Sequence, residues 1–330
     1  MKQLLLLITC LLTLFIGSCS KDQYEISDNL RLRYKDADMP IWVRGNAGSD
    51  RLVLFLHGGP GGCAMCLRTF FESAEEQLIM AYWDQRIAGS SGGTSHPDQL
   101  TYLQFADDLK QVILLLKKRY PNKRLYLLGH SFGVEMAWQF LTSGNNQNLV
   151  DGFIAMDGTY STYEWLITSQ KWIMNEALIQ GDEEAYNYMN NLSLTQSNMS
   201  DLVDWGKWYE FIFRLGGNPV WPTDDAEYNL KLWFFSPHSA FSNSLNSSLY
   251  DNYYDKEIFT FDRKSLLSNI NIPITIFWGE KDGIMPIEHA YQTSALLPGN
   301  PTPIIFKNSW HSPFHTENDL FTQELIKATQ

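Results

Sequence analysis

The 330-residue chain carries 25 basic and 37 acidic side chains, for a formal charge of −12, with 44% hydrophobic and 14% aromatic residues. That acid excess excludes nucleic acid as a partner, and the apolar content suffices for one large domain with an insertion. Neither an internal repeat nor a low-complexity tract interrupts it.

The first residues read as a leader. Lys2 precedes an apolar run over 4–16, and Ile16-Gly17-Ser18 ends in small residues before Cys19. This is the pattern of a secretory signal peptide over 1–18, too short for a spanning helix. Ile-Gly-Ser-Cys resembles the bacterial lipobox, which implies cleavage before Cys19 and lipidation of its thiol. Loss of Lys2 takes the formal charge from −12 to −13. Residues 19–29 are expected as a lipidated tether, with the membrane as partner through that anchor. The expected location is the bacterial cell envelope, most simply the outer membrane, periplasmic or surface-facing.

Downstream, short apolar runs alternate with helical patterns. Residues 52–56 read as a buried strand, followed by a glycine-rich turn at 57–62 and a helix near 64–77. A second strand spans 79–83, and 102–120 carries Leu103, Ala106, Leu109, Ile113 and Leu116 at helical spacing. Strands at 125–128 and 152–156 flank a helix ending at Leu141. After a long interruption come a strand at 274–278, a helix near 287–296, a strand at 304–306 and a helix near 314–327. Apolar strands alternating with helices imply a mostly parallel sheet with helices on both faces. The expected units are a core over 30–158 and 266–330 and an inserted, mainly helical lid over 159–265. The lid is rich in Trp, Tyr, Phe and Asn, its helical stretches look short, and most of its aromatics should form its own core.

Gly129-His130-Ser131-Phe132-Gly133 falls between a strand and a helix, where a strained turn lifts a serine hydroxyl above the sheet. A serine becomes a nucleophile when an imidazole takes its proton and a carboxylate holds that imidazole. Asp282 and His311 sit on loops after successive late strands, so Ser131, Asp282 and His311 are the expected triad in chain order. Glu280 and Asp157 are rivals for the acid, and His315 for the base. Backbone donors for an oxyanion are expected at Phe132 and at Gly59 of His57-Gly58-Gly59-Pro60-Gly61-Gly62, since Pro60 has no N–H. Cys63 and Cys66 are either a small disulfide ring or two packed thiols, and two thiols alone do not make a zinc site.

His-Gly-Gly-Pro-Gly-Gly (57–62), Asp84-Gln85-Arg86 with Gly89 and Ser91, the serine elbow, Trp278-Gly-Glu-Lys-Asp282 and His311 together resemble α/β-hydrolases of the proline iminopeptidase type. The likeness covers most of 40–158 and 270–315. It implies an α/β-hydrolase fold with a lid, a serine aminopeptidase releasing N-terminal residues, often proline, from short peptides, and no metal or organic cofactor; a serine hydrolase acting on a small ester, lactone or amide without a free amine is the alternative. It also implies a lid carboxylate for the substrate amine, placed at Glu210 in Trp205-Gly-Lys-Trp208-Tyr209-Glu210, with Glu176 and Glu135 as alternatives. Departures are Ile87 where the family has glycine, Gly-His-Ser-Phe-Gly for Gly-Gly-Ser-Trp-Gly, and the added Tyr209.

Overall fold

The computed structural model describes residues 25–218 and 256–330. The expected leader, Cys19 and the start of the tether lie outside the described residues, as do Trp221 and Trp233 of the insertion.

Strands β1 (Glu25–Tyr34) and β2 (Ala37–Asn46) form a hairpin. Lys35 and Asp36 close it with φ of 44° and 63°, the double left-handed geometry of a type I′ turn. Residues 25–29 are therefore strand rather than tether, and the sheet begins at least five residues before the expected boundary at 30. Leu30, Leu32 and Tyr34 pack on the core while alternate residues face out, as an edge strand requires.

The chain continues through β3 (Arg51–Leu56), α1 (Ala64–Leu67), α2 (Glu72–Glu75), β4 (Ile79–Trp83), the two-residue β5 (Gly92–Gly93), α3 (Tyr102–Arg119), β6 (Arg124–His130), α4 (Phe132–Leu141) and β7 (Gly152–Met156). The insertion holds α5 (Thr162–Gln180), α6 (Glu183–Asn190), α7 (Met199–Leu202) and α8 (Trp205–Arg214). Then come β8 (Ile274–Gly279), α9 (Glu288–Leu296), β9 (Ile304–Phe306), α10 (Pro313–Thr316) and α11 (Asn318–Ala328). Among the described residues, one sheet runs β1-β2-β4-β3-β6-β7-β8-β9, with β5 beside β2. It is parallel from β4 to β9 and antiparallel at β1 and β2.

Alternation along the central strands divides the core. Leu52, Leu54 and Leu56 of β3 join Phe105, Leu109 and Val134 under α3 and α4, whereas Val53 and Phe55 join Phe71, Phe314 and Phe321 on the other face. Burial on both faces is why these strands read as continuous apolar runs.

Two expected helices are broken. The one near 64–77 becomes α1, a 3₁₀ turn and α2, because Phe71 turns fully inward to pack 4.7 Å from Phe55 and 5.4 Å from Phe314, with a φ of −115° that ends the first segment. The one near 314–327 breaks at Glu317, whose Oε2 accepts from Asn308 N–H and Ser309 Oγ–H, both at 2.8 Å. In the insertion, α5 is 19 residues long, against the expectation of short helices. Trp165 and Trp208 are buried within it, and Trp208 Nε1–H donates to Ser169 Oγ at 2.9 Å.

The Asp-Gln-Arg loop is held by a fully buried ion pair. Arg86 donates from Nε and Nη2 to Asp108 at 2.8 and 2.7 Å, and from Nη1 to the Lys35 carbonyl at 2.8 Å. Removing one partner of such a pair strands a charge in the core. Asp108→Ala should therefore lose about 3–5 kcal/mol of stability in urea unfolding, whereas a loss under about 1 kcal/mol would equate the pair with an exposed one. Ile87, where the family has glycine, has φ 48°, so a β-branched side chain occupies left-handed backbone.

Candidate active site

Ser131 links β6 to α4 with φ 53° and ψ −122°, a region that non-glycine residues rarely enter. Two backbone bonds hold it there: Ser131 N–H donates to Met156 O at 3.0 Å, and Val134 N–H to Ser131 O at 2.8 Å. The turn is tight enough that a Cβ on Gly133 would stand 2.1 Å from the Leu56 carbonyl oxygen. Glycine at 133 is therefore a packing requirement.

The loops that carry Asp282 and His311 meet at the ends of β8 and β9. His311 Nδ1–H donates to Asp282 Oδ2 at 2.7 Å, and Asp282 Oδ1 accepts from Ile284 and Met285 N–H at 2.8 and 3.0 Å. The loops are also stitched together by Glu280 N–H to Phe306 O and Lys281 N–H to Ser309 O. Glu280 is exposed, and Asp157 bonds to Gly279 N–H at 2.9 Å rather than to the imidazole. His315 lies in α10, 4.9 Å from the Phe70 ring. The structure thus joins Asp282 to His311 and places the rivals elsewhere. Among the described residues, no hydrogen bond joins Ser131 Oγ to His311 Nε2, and the imidazole is held through Nδ1 by Asp282.

Burial sets the electrostatics. It lowers the His311 imidazole from 6.5 to about 3, so the ring is neutral at physiological pH and Nε2 can accept a proton. Burial pushes both Asp157 and Asp282 well above the usual carboxylate range, and the charge of Asp282 raises Asp157 further. Asp157 Oδ2 is buried with no hydrogen-bond partner, while Asp282 has two N–H donors and the imidazole. Of these two carboxyls the proton belongs on Asp157 and the charge on Asp282.

The glycine loop lies against the elbow: a Cβ on Gly58 would sit 3.0 Å from Ser131 Cβ. His57 fastens this loop to the Asp-Gln-Arg loop. Its Nδ1 donates to Gly58 O at 2.8 Å, its Nε2 accepts from Gln85 N–H at 3.2 Å, and Gln85 Nε2–H donates to His57 O at 2.9 Å. Asp84 accepts from Ala64 and Met65 N–H at the start of α1 and from Ser90 N–H, at 2.8, 3.2 and 2.6 Å. Burial raises its carboxyl to about 6. Gly59 has φ 122°, and Phe132 is the first residue of α4, where N–H groups point out of the helix's own ladder. Cys63 and Cys66 form a disulfide directly after the glycine loop, closing the question left open by the sequence.

Glu210 is not placed as expected. It lies on the exposed face of α8, pairing with Lys207 and Arg214, each at 3.1 Å, while Trp208, Phe211 and Ile212 fill the buried face. A carboxylate already neutralised by two cations in water is no amine receptor, and the added Tyr209 accounts for the rotation. Glu176 is half-buried and accepts weakly from Gln180. Glu135 is buried on the first turn of α4 and accepts from the Tyr102 hydroxyl.

Sequence reasoning missed the turn at Gly216 and Gly217, at the end of α8. Gly217 O accepts from Gly283 N–H at 2.7 Å, and Gly216 O accepts from Trp310 Nε1–H at 2.9 Å. The insertion thereby touches the neighbours of both Asp282 and His311. A Cβ on Gly283 would stand 2.6 Å from Gly217 Cα and from the Trp172 ring. Paired glycines far apart in sequence are the only signal, and it has meaning only once the loops are seen to meet.

Residues 51–318 match the family model for the alpha/beta hydrolase fold. The chain belongs to that family. Within the alpha/beta hydrolases, it is 24% identical over 317 residues to the probable aminopeptidase YbaC of Bacillus subtilis (strain 168), covering 87% of this chain and 91% of that one. Among solved structures, the proline iminopeptidase-related protein TTHA1809 from Thermus thermophilus superposes with a TM-score of 0.63 at 18% identity, over 92% of this chain and 97% of that one. Proline iminopeptidase from Mycobacterium smegmatis gives 0.64 at 14% identity, over 91% and 97%. At these identities the structures establish the shared fold.

Proposed function

We propose that this alpha/beta hydrolase is a serine aminopeptidase that releases N-terminal residues, proline among them, from short peptides through an acyl-enzyme. The observation that carries the reading is the 57–62 loop laid against Ser131 and fastened by His57, Gln85 and Asp84. Those are the residues of the iminopeptidase-type motifs, and the full-length likeness to a probable aminopeptidase supports it.

In this mechanism His311 Nε2 takes the Ser131 proton as Oγ attacks the scissile carbonyl. N–H groups of Gly59 and Phe132 receive the oxyanion, and losing one such donor costs about 3 kcal/mol of transition-state stabilisation. Protonated His311 then delivers its proton to the leaving amine, and water attacks the acyl-enzyme by the same route. With Glu210 engaged on the surface, Glu176 of the insertion and Glu135 on the first turn of α4 are the remaining candidates for the substrate's ammonium. The insertion above the strand ends limits access to short chains. Cys19 anchors the enzyme in the cell envelope; incorporation of a labelled fatty acid that is lost in Cys19→Ala tests this.

A second reading, an esterase, lactonase or amidase without a free-amine requirement, is favoured by the surface pairing of Glu210. Turnover of proline p-nitroanilide, its N-acetyl form and p-nitrophenyl acetate separates the two. Cleavage of the free amide alone supports the aminopeptidase, and equal cleavage of the blocked amide removes it.

Because burial depresses the His311 imidazole, the acid limb of kcat/KM for p-nitrophenyl acetate should have its midpoint below pH 6.5. Activity is kept as pH falls through 6.5 and lost only when the ring protonates. A midpoint above 6.5 would mean that the Asp282 charge outweighs burial.

A further inference from the structure

His130 precedes the nucleophile, and no step of the mechanism above uses it. It is the last residue of β6, and its imidazole is buried. Its Nε2 lies 2.6 Å from the backbone oxygen of His311. A carbonyl oxygen only accepts, so Nε2 carries the proton and donates. The ring lies 5.0 Å from the His311 ring and edge-on to Phe314 at 5.2 Å. On its other side, a Cβ on Gly58 would stand 3.1 Å from His130 Nδ1. One side chain therefore touches the base loop and the glycine loop while its backbone runs into Ser131.

The sheet explains why such a tie matters. Ser131 is fixed by β6 and β7, through its N–H bond to Met156 O. His311 comes from the loop after β9, a three-residue strand at the sheet edge, with β7 and β8 intervening. Three strand spacings of about 4.8 Å separate β6 from β9, so small changes in twist or loop path accumulate between nucleophile and base. A direct bond from the residue before Ser131 to the backbone of His311 removes that dependence.

We infer that His130 is a positioning residue: its Nε2–H bond to the His311 carbonyl sets the register between the nucleophile elbow and the general-base loop. Burial keeps the imidazole neutral, lowering it to about 3, so it neither competes for the Ser131 proton nor places a second charge beside His311. The inference rests on the assignment of Ser131 and His311 above.

The test compares His130→Gln, whose amide N can reach the same carbonyl, with His130→Leu and His130→Asn, which cannot make that bond. Each is assayed for kcat and KM on p-nitrophenyl acetate, for inactivation rate by a fluorophosphonate, and for Tm. A displacement of about 1 Å can cost 10²-fold in rate. His130→Leu and His130→Asn should lose about 10- to 100-fold in kcat and in inactivation rate, with KM within about twofold, while His130→Gln recovers most of both. If His130→Leu does not fold, His130→Asn against His130→Gln decides. Rates within about twofold of wild type in His130→Asn, or equal losses in Asn and Gln variants of equal Tm, would overturn the inference. Wild-type enzyme inert to the fluorophosphonate would instead remove the Ser131–His311 assignment itself, and this inference with it.

Discussion

Ser131→Ala should abolish turnover of every substrate, by about 10⁶-fold in kcat, while leaving KM for any residual reaction and the Tm close to wild type. The hydroxyl is half-exposed at the elbow and makes no hydrogen bond that holds the fold, so its loss leaves α4 and the sheet intact. The left-handed backbone at 131 is set by the Met156 and Val134 bonds, which alanine also makes. Single-turnover and steady-state assays check this, with inhibitor binding as control. A variant that kept a tenth of the wild-type rate would show the nucleophile to be elsewhere.

Asp282→Asn is the second large effect, expected at about 10⁴-fold in kcat with little change in structure. The asparagine oxygen can still accept from Ile284 and Met285 N–H. Its amide group then faces His311 Nδ1, where a donor meets a donor, and the imidazole must turn to the tautomer with the proton on Nε2. That tautomer cannot take a proton from Ser131. Retained activity would pass the acid role to Asp157, the other buried carboxyl beside this loop. Asp157→Asn, by contrast, replaces a protonated acid by a near-isostere and should leave kcat within a few fold.

The parallel part of the sheet was legible because β3, β4, β6 and β7 are buried on both faces and so appear as unbroken apolar runs. The hairpin β1–β2 was not. Ile26, Leu30, Leu32 and Tyr34 carry the alternation, but the exposed residues between them made the start of β1 look like a polar tether. Helix breaks at Phe71 and Glu317 were illegible for another reason. Phe71 is fixed by an aromatic cluster that brings in Phe314 from the far end of the chain, and Glu317 by donors of the loop just before it, Asn308 and Ser309; neither contact follows from helical spacing.

The site divides along the same line. Ser131, Asp282 and His311 follow strands, so strand order alone put them at one end of the sheet, and the Asp282–His311 bond has the expected partners. Asp84 and Arg86 hold their loop from within, Asp84 accepting from Ser90 N–H and Arg86 pairing with Asp108. Glu210 failed because carrying a side chain across an inserted residue in a helix ignores its rotation about the axis. The contact of Gly217 with Gly283 and the tie from His130 to His311 depend on loops meeting in space, which no local pattern encodes.

Activation of the Ser131 alcohol by the His311 imidazole is the step on which the proposed chemistry depends. Its most direct test is fluorophosphonate treatment of the folded protein, followed by peptide mapping of the adduct in wild type and in His311→Ala. A single adduct on Ser131 in wild type, with labelling lost in the variant, is the result predicted. No adduct on Ser131, or labelling equally fast without the imidazole, would contradict it.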